Sequence, residues 1–138
     1  SIMLMSSLTV PVITLVTGEG SSGGALAISV ANSLWMLENA VYSVLSPEGF
    51  AAILWKDGSR AADAAELMKL TAQELAACGV ADRVIPEPEH GFTGDCTAFY
   101  RDLREQLIEE IELLSSRSGA ALSSERYKKF RAIGDCRS

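Results

Sequence analysis

An apolar, β-branched run that empties into glycines and then into a helix-forming stretch constrains this chain more than any other feature. Thr9-Val10-Pro11-Val12-Ile13-Thr14-Leu15-Val16 reads as a buried strand, and Gly18-Glu19-Gly20-Ser21-Ser22-Gly23-Gly24-Ala25 follows as a turn. Ala25-Leu26-Ala27-Ile28-Ser29-Val30-Ala31 then opens a helical pattern, read as a helix over 24–37. A helix start leaves main-chain N–H groups without partners, and its dipole favours negative charge there. Glycines add close access to the backbone, because no Cβ stands in the way. Such a turn can hold an anion or a developing oxyanion.

Three readings compete for it. The plainest is a tight connection in which the glycines serve backbone geometry alone. A phosphate loop fits poorly, since no Gly-Lys-Ser/Thr follows and the G-x-G-x-x-G spacing fails. A nucleophile elbow fits the letters, because Gly20-Ser21-Ser22-Gly23-Gly24 satisfies G-x-S-x-G. That serine hydrolase reading makes Ser22 the nucleophile, His90, the single histidine, its base, and Asp63 or Asp82 the orienting acid. It also demands a sheet of many strands, whereas the pattern predicts three.

Those three strands are 9–16, 40–45 and 80–85. Residues 1–8 read as the end of a helix, and further helices are predicted from Pro47 behind the Ser46 cap to Trp55, over 60–69 and 71–78, over 95–117 and over about 123–132. Thr71-Ala72-Gln73-Glu74 spells a capping box. Phe99, Leu103, Leu107, Ile111 and Leu114 form one apolar stripe, which either packs back on its own chain or helps form a docking surface. The cluster Arg126-Tyr127-Lys128-Lys129-Phe130-Arg131 reads as the polar face of the last helix. Strands alternating with helices imply α/β architecture with parallel pairing.

A net charge of −6 argues against nucleic acid as the main partner. No apolar stretch is long enough to span a bilayer, and Ser1-Ile2-Met3-Leu4-Met5 lacks a secretory signal's basic start. Cys78, Cys96 and Cys136 form no C-x-x-C pair, so no metal site is expected and reduced cysteines fit a cytoplasmic chain. Cys78 reads as core, and the other two are given no role. The apolar opening without an initiator methionine suggests a chain that begins inside a larger fold.

Five stretches stand out together: Val10-Pro11-Val12, Gly18 to Ile28, Tyr42-Ser43-Val44-Leu45-Ser46-Pro47-Glu48-Gly49, Ile53-Leu54-Trp55-Lys56 and Ile85-Pro86-Glu87-Pro88. Through them, over residues 10–90, the chain resembles the C-terminal portion of the carboxyltransferase α subunit of bacterial-type acetyl-CoA carboxylase, within the crotonase superfamily. They run in the family's order. The resemblance implies an α/β fold, the C-terminal part of a crotonase-like (ClpP/crotonase) ββα spiral with trailing long helices. It implies one partial carboxyltransferase domain over 1–138, with 1–90 in the α/β core and 95–138 as C-terminal helices.

It further implies transfer of a carboxyl group from carboxybiotin, borne on a separate biotin carboxyl carrier protein, to acetyl-CoA, giving malonyl-CoA for fatty-acid synthesis. A carboxyltransferase β subunit is the implied partner in a hetero-oligomer, and the isolated chain is not expected to be a stable monomer. The implied oxyanion donors are the backbone N–H groups of Gly23 and Gly24. Gly18, Glu19, Gly20, Ser21, Ser22 and Ala25 are implied to bind substrate. Serine at position 21, commonly glycine in the family, departs mildly from the pattern, and Glu48 is read as a dipole partner at a helix start rather than a base. Because the family's N-terminal half is missing, a non-catalytic crotonase-like interaction fragment is the remaining alternative.

Overall fold

The computed structural model describes residues 2–43, 45–68 and 70–133. Its centre is a fully buried strand, β3 (Ser33–Leu37), flanked in parallel by β1 (Ile13–Val16) and β5 (Arg83–Ile85). Leu15 lies opposite Trp35, and Trp35 lies opposite Arg83. A parallel strand covered on both faces is a continuous apolar run, and Leu34, Trp35, Met36 and Leu37 are all but inaccessible.

This corrects the expected helix over 24–37. The helix α2 is Ser22–Ile28, closed by Ser29, whose hydroxyl and N–H both donate to the Ala25 carbonyl, at 2.6 and 3.0 Å. The apolar stretch after Asn32 is too short for a second helix and too buried for an amphipathic one, so it pairs as a strand. The expected strand over 9–16 is likewise shorter. Before Ile13, the main chain bonds to Asn32 instead of a ladder: Val12 N–H donates to Asn32 Oδ1 at 3.1 Å and Asn32 N–H to the Val12 carbonyl at 2.8 Å.

A second, two-stranded sheet pairs β2 (Glu19–Ser21) in parallel with β4 (Val41–Ser43). β2 falls inside the predicted turn, so the described residues hold five strands where three were expected. Three residues carry no periodic signal, and β2 exists because β4 lies beside it.

The remaining helices fall near their expected places, except that the last begins at Gly119, behind a Ser118 cap, four residues before the expected start. α1 (Ile2–Ser7) precedes the first strand, and Ser46 caps α3 (Pro47–Trp55) by accepting from Gly49 N–H at 3.1 Å. A 3-10 turn, Gly58–Arg60, leads into α4 (Ala61–Met68), and the Thr71–Glu74 capping box starts α5 (Ala72–Ala77). Phe99, Leu103 and Leu107 of α6 (Thr97–Ser115) pack on the core and Leu114 is buried, while Ile111 faces outward. The stripe therefore covers its own sheet. Cys78 caps the end of α5 exposed to solvent, against its expected place in the core. Cys96 is buried, and Cys136 lies outside the described residues.

The last helix, α7 (Gly119–Ala132), keeps Lys128 and Arg131 exposed but corrects the polar-face reading at Arg126 and Lys129. Arg126 is wholly inaccessible. Its guanidinium donates to the carbonyls of Met5 (2.5 Å), Leu8 (2.5 Å) and Val10 (3.1 Å) and to Asn32 Oδ1 (3.1 Å). One turn on, Lys129 donates to Asp82 and to the Asn32 carbonyl, and the same Asp82 oxygen accepts Leu34 N–H at 2.7 Å. α7 thus clasps the segment that feeds β1.

Candidate functional site

β1 and β4 together fix the glycine loop. β1 ends at Val16, and the Gly18 carbonyl accepts Val41 N–H at 3.0 Å where β4 begins. β2 then runs in register with β4, Glu19 opposite Val41, Gly20 opposite Tyr42 and Ser21 opposite Ser43. The chain passes from β2 straight into α2. Ser21 is the N-cap residue in extended conformation (φ −130°, ψ 162°), and its side chain makes no capping hydrogen bond. No hydroxyl of Ser21 competes for the first-turn N–H groups of α2, to which Gly23 and Gly24 belong.

The glycines of the loop divide into two kinds. A Cβ at Gly20 would stand 2.9 Å from Tyr42 Cδ2 and 3.3 Å from Val16 Cγ1, so a side chain there forces the ring or the strand to shift. A Cβ at Gly18 or Gly23 would meet nothing within 4 Å, and neither residue has a positive φ. Internal packing therefore does not demand glycine at position 23. Gly23 and Gly24 are both exposed, and open space lies where a Gly23 Cβ would stand. Thr17, Gly18, Glu19, Gly20, Ala25 and Tyr42 line a cleft of about 290 Å³ beside the loop.

The structure brings Gly18 to Ala25 into this single loop and helix start. Glu48 sits exposed at the second position of α3 beyond Pro47, in the place where a carboxylate complements the helix dipole. The elbow reading loses its geometry. Ser22 is the first residue of α2, following an ordinary extended residue, and among the described residues Lys56 is the only non-glycine with a positive φ. A nucleophile elbow is a sharp, strained turn, and this junction has no such strain. The side chain of Ser22 lies outside the described residues. His90 is exposed in the loop before α6, where its carbonyl accepts the Thr93 hydroxyl at 3.0 Å.

Tyr42, beside the loop, was not singled out for a role in the sequence. It is buried, touches the loop through Gly20, and its hydroxyl has no hydrogen-bond partner among the described residues. The signal available in sequence was a lone aromatic between Val41 and Ser43 in a strand otherwise of small residues. Among the described residues no group of three or more His, Cys, Asp or Glu is placed to hold a metal ion, and no helix is long and apolar enough to cross a membrane.

Comparison with known proteins adds independent findings. Residues 1–134 match the family model described as acetyl co-enzyme A carboxylase carboxyltransferase-like. The acetyl-coenzyme A carboxylase carboxyl transferase subunit alpha of Clostridium acetobutylicum is 55% identical over 134 residues, covering 97% of this chain and 49% of that one. Its namesake in Streptococcus equi subsp. zooepidemicus is 54% identical, covering 95% and 50%. The chain thus spans about half the length of these curated relatives.

Among solved structures, transcarboxylase 12S with methylmalonyl-coenzyme A and methylmalonic acid bound superposes with TM-score 0.65 at 21% identity, covering 84% of this chain and 22% of that one. A Pseudomonas malonate decarboxylase hetero-tetramer in complex with coenzyme A gives TM-score 0.62 at 22% identity, covering 75% and 41%. An enoyl-CoA hydratase from Mycobacterium avium subsp. paratuberculosis gives TM-score 0.53 at 19% identity, covering 96% and 55%. These likenesses establish a crotonase-type α/β fold, as the sequence led one to expect.

Proposed function

The chain belongs to the acetyl-CoA carboxylase carboxyltransferase-like family, and from that premise we propose that it forms the oxyanion-binding part of a biotin-dependent acetyl-CoA carboxyltransferase. In this reading residues 1–90 belong to the catalytic α/β core and 95–138 are its C-terminal helices, a single partial domain. The reaction moves a carboxyl group from carboxybiotin to acetyl-CoA, forming malonyl-CoA for fatty-acid biosynthesis in the cytoplasm. The assembly includes a carboxyltransferase β subunit and a biotin carboxyl carrier protein.

Chemically, the loop must accept negative charge. Loss of the carboxyl group from carboxybiotin leaves charge on the ureido oxygen, and deprotonating the acetyl methyl leaves it on the thioester oxygen. The first-turn N–H groups of Gly23 and Gly24 are fixed donors of the kind that stabilises such an oxygen, each worth roughly 3–4 kcal/mol in the transition state. The α2 dipole acts in the same direction. Gly18, Glu19, Gly20, Ser21, Ser22 and Ala25 frame the approach, and the absence of a side chain at Gly18 and Gly23 lets a reactant reach the main chain. The observation that carries the reading is the open space over Gly23, at a position where the fold alone would accept alanine.

Replacing Gly23 or Gly24 by valine in the full-length subunit, assembled with its partner, tests this. Malonyl-CoA formation is expected to fall by at least about a hundredfold while assembly is retained. Near-normal turnover in both variants would discard the oxyanion assignment. Ser22→Ala is expected to leave turnover largely unchanged, since the chemistry needs main-chain donors only, whereas labelling of Ser22 by a fluorophosphonate, lost in His90→Ala, would establish a hydrolase instead.

A further inference from the structure

We propose that Tyr42 is the positioning residue of the glycine loop: its ring, pressed against Gly20, sets the height of β2 and so the direction of the N–H groups that begin α2. The inference rests on the carboxyltransferase reading for its catalytic consequence, but its structural content stands on contacts alone.

Four observations converge. Gly20 and Tyr42 are register partners across β2 and β4. The ring occupies the space that a Cβ at residue 20 would need, at 2.9 Å. The strand that carries the ring is pinned on both sides, since Tyr42 N–H donates to the Leu70 carbonyl and Val41 N–H to the Gly18 carbonyl, each at 3.0 Å. Finally, the hydroxyl is buried without a partner among the described residues, so it does not hold the ring in place. Shape does. A ring wedged between a fixed strand and a glycine transmits its position to β2, and only Ser21 separates the end of that contact from α2. Packed interiors pass such displacements on instead of absorbing them.

The reciprocal fit makes the inference testable from both sides. Gly20→Ala pushes on the ring, and Tyr42→Val removes the ring carbons it would meet, so each alone displaces the loop. Combined, the added methyl group occupies part of the space the ring has left. Tyr42→Phe keeps the ring and removes only the unpartnered hydroxyl.

In the full-length, assembled enzyme, Gly20→Ala and Tyr42→Val are expected to lower kcat by about tenfold to a hundredfold with KM within about twofold, the cost of a misplaced reacting group. Tyr42→Phe should match the parent, and the double variant should recover at least part of the loss. Crystal structures should show the first turn of α2 displaced in Gly20→Ala and unmoved in Tyr42→Phe. An undisplaced first turn in Gly20→Ala would overturn the proposal, as would a Tyr42→Phe variant as impaired as Gly20→Ala. If Tyr42→Val fails to fold, Gly20→Ala and Tyr42→Phe decide alone. Absence of carboxyl transfer in the parent enzyme would count against the carboxyltransferase reading, while the displacement in the crystals still judges the positioning role.

Discussion

The glycine loop and the clasp around Arg126 are both dense in polar groups and treat them in opposite ways. At the clasp, the side chains turn their donors inward. Arg126 takes three carbonyls and an amide oxygen, and Lys129, Asp82 and Asn32 bond to one another and to the main chain around them. Burial lowers the pKa of the Arg126 guanidinium below its ordinary value, yet an arginine stays charged at any pH the fold survives. At the loop, the Ser21 side chain makes no cap, Gly23 and Gly24 are exposed, and a Cβ on Gly23 would meet nothing within 4 Å. Polar groups satisfied within the chain hold a scaffold together, and those left open wait for something outside it. Two variants should therefore separate stability from activity.

The largest effect belongs to the clasp. Arg126→Met removes the charge and leaves four acceptors without their donor, three of them in the segment 5–10 that leads into β1. The expected loss is about 3 kcal/mol or more, a large share of a domain's total stability. Urea denaturation measures it, and a loss below about 1 kcal/mol would mean that solvent readily replaces the guanidinium. Gly23→Ala is the converse. Its Cβ meets no atom of the chain, and alanine favours a helix, so stability should hold or rise by up to about 1 kcal/mol. If the proposed reading holds, carboxyl transfer by the assembled enzyme should nevertheless fall by at least about tenfold, because the methyl group would stand in the reactant's path. Equal losses of stability and activity in Gly23→Ala would erase the contrast between the two regions.

The same contrast explains what could be read in the sequence. The loop was legible because glycines between a β-branched run and a helical run are a local signal, and the proposed donors Gly23 and Gly24 lie within it, whereas Tyr42, which packs on the loop from β4, does not. Helix starts were legible for the same reason: Ser46-Pro47 and Thr71–Glu74 act within one turn. The clasp was not. Arg126 reaches residues 116 to 121 positions away in sequence, and a basic residue in a helix next to Lys128 and Lys129 looks like a solvated face until its partners are known. Strands failed similarly. β2 depends on β4, and β3 hid in a predicted helix because a short buried strand and a buried helical segment share the same apolar letters.

The smallest expected effect separates exposed caps from the clasp by pH. The Thr97 hydroxyl (2.5 Å) and N–H (2.9 Å) both donate to Asp95 at the start of α6, and they hold its carboxyl below the ordinary value of 3.8. Asp57 is lowered in the same way, first by the Ser59 hydroxyl (2.7 Å) and then by its N–H (3.0 Å), with a further contribution from Arg60. A carboxyl whose folded pKa is depressed contributes stability above its unfolded pKa, and that contribution disappears as pH falls through the folded pKa. The window is therefore at and below about pH 4. The double variant Asp57→Asn/Asp95→Asn should be slightly less stable than the parent at neutral pH, and the gap should close on acidification. The Arg126→Met deficit should persist across the same range, because the guanidinium does not titrate there. Urea midpoints taken at neutrality and at about pH 3 decide the matter. A gap between parent and double variant that stays constant with pH would show that the capping carboxylates act by geometry and not by charge.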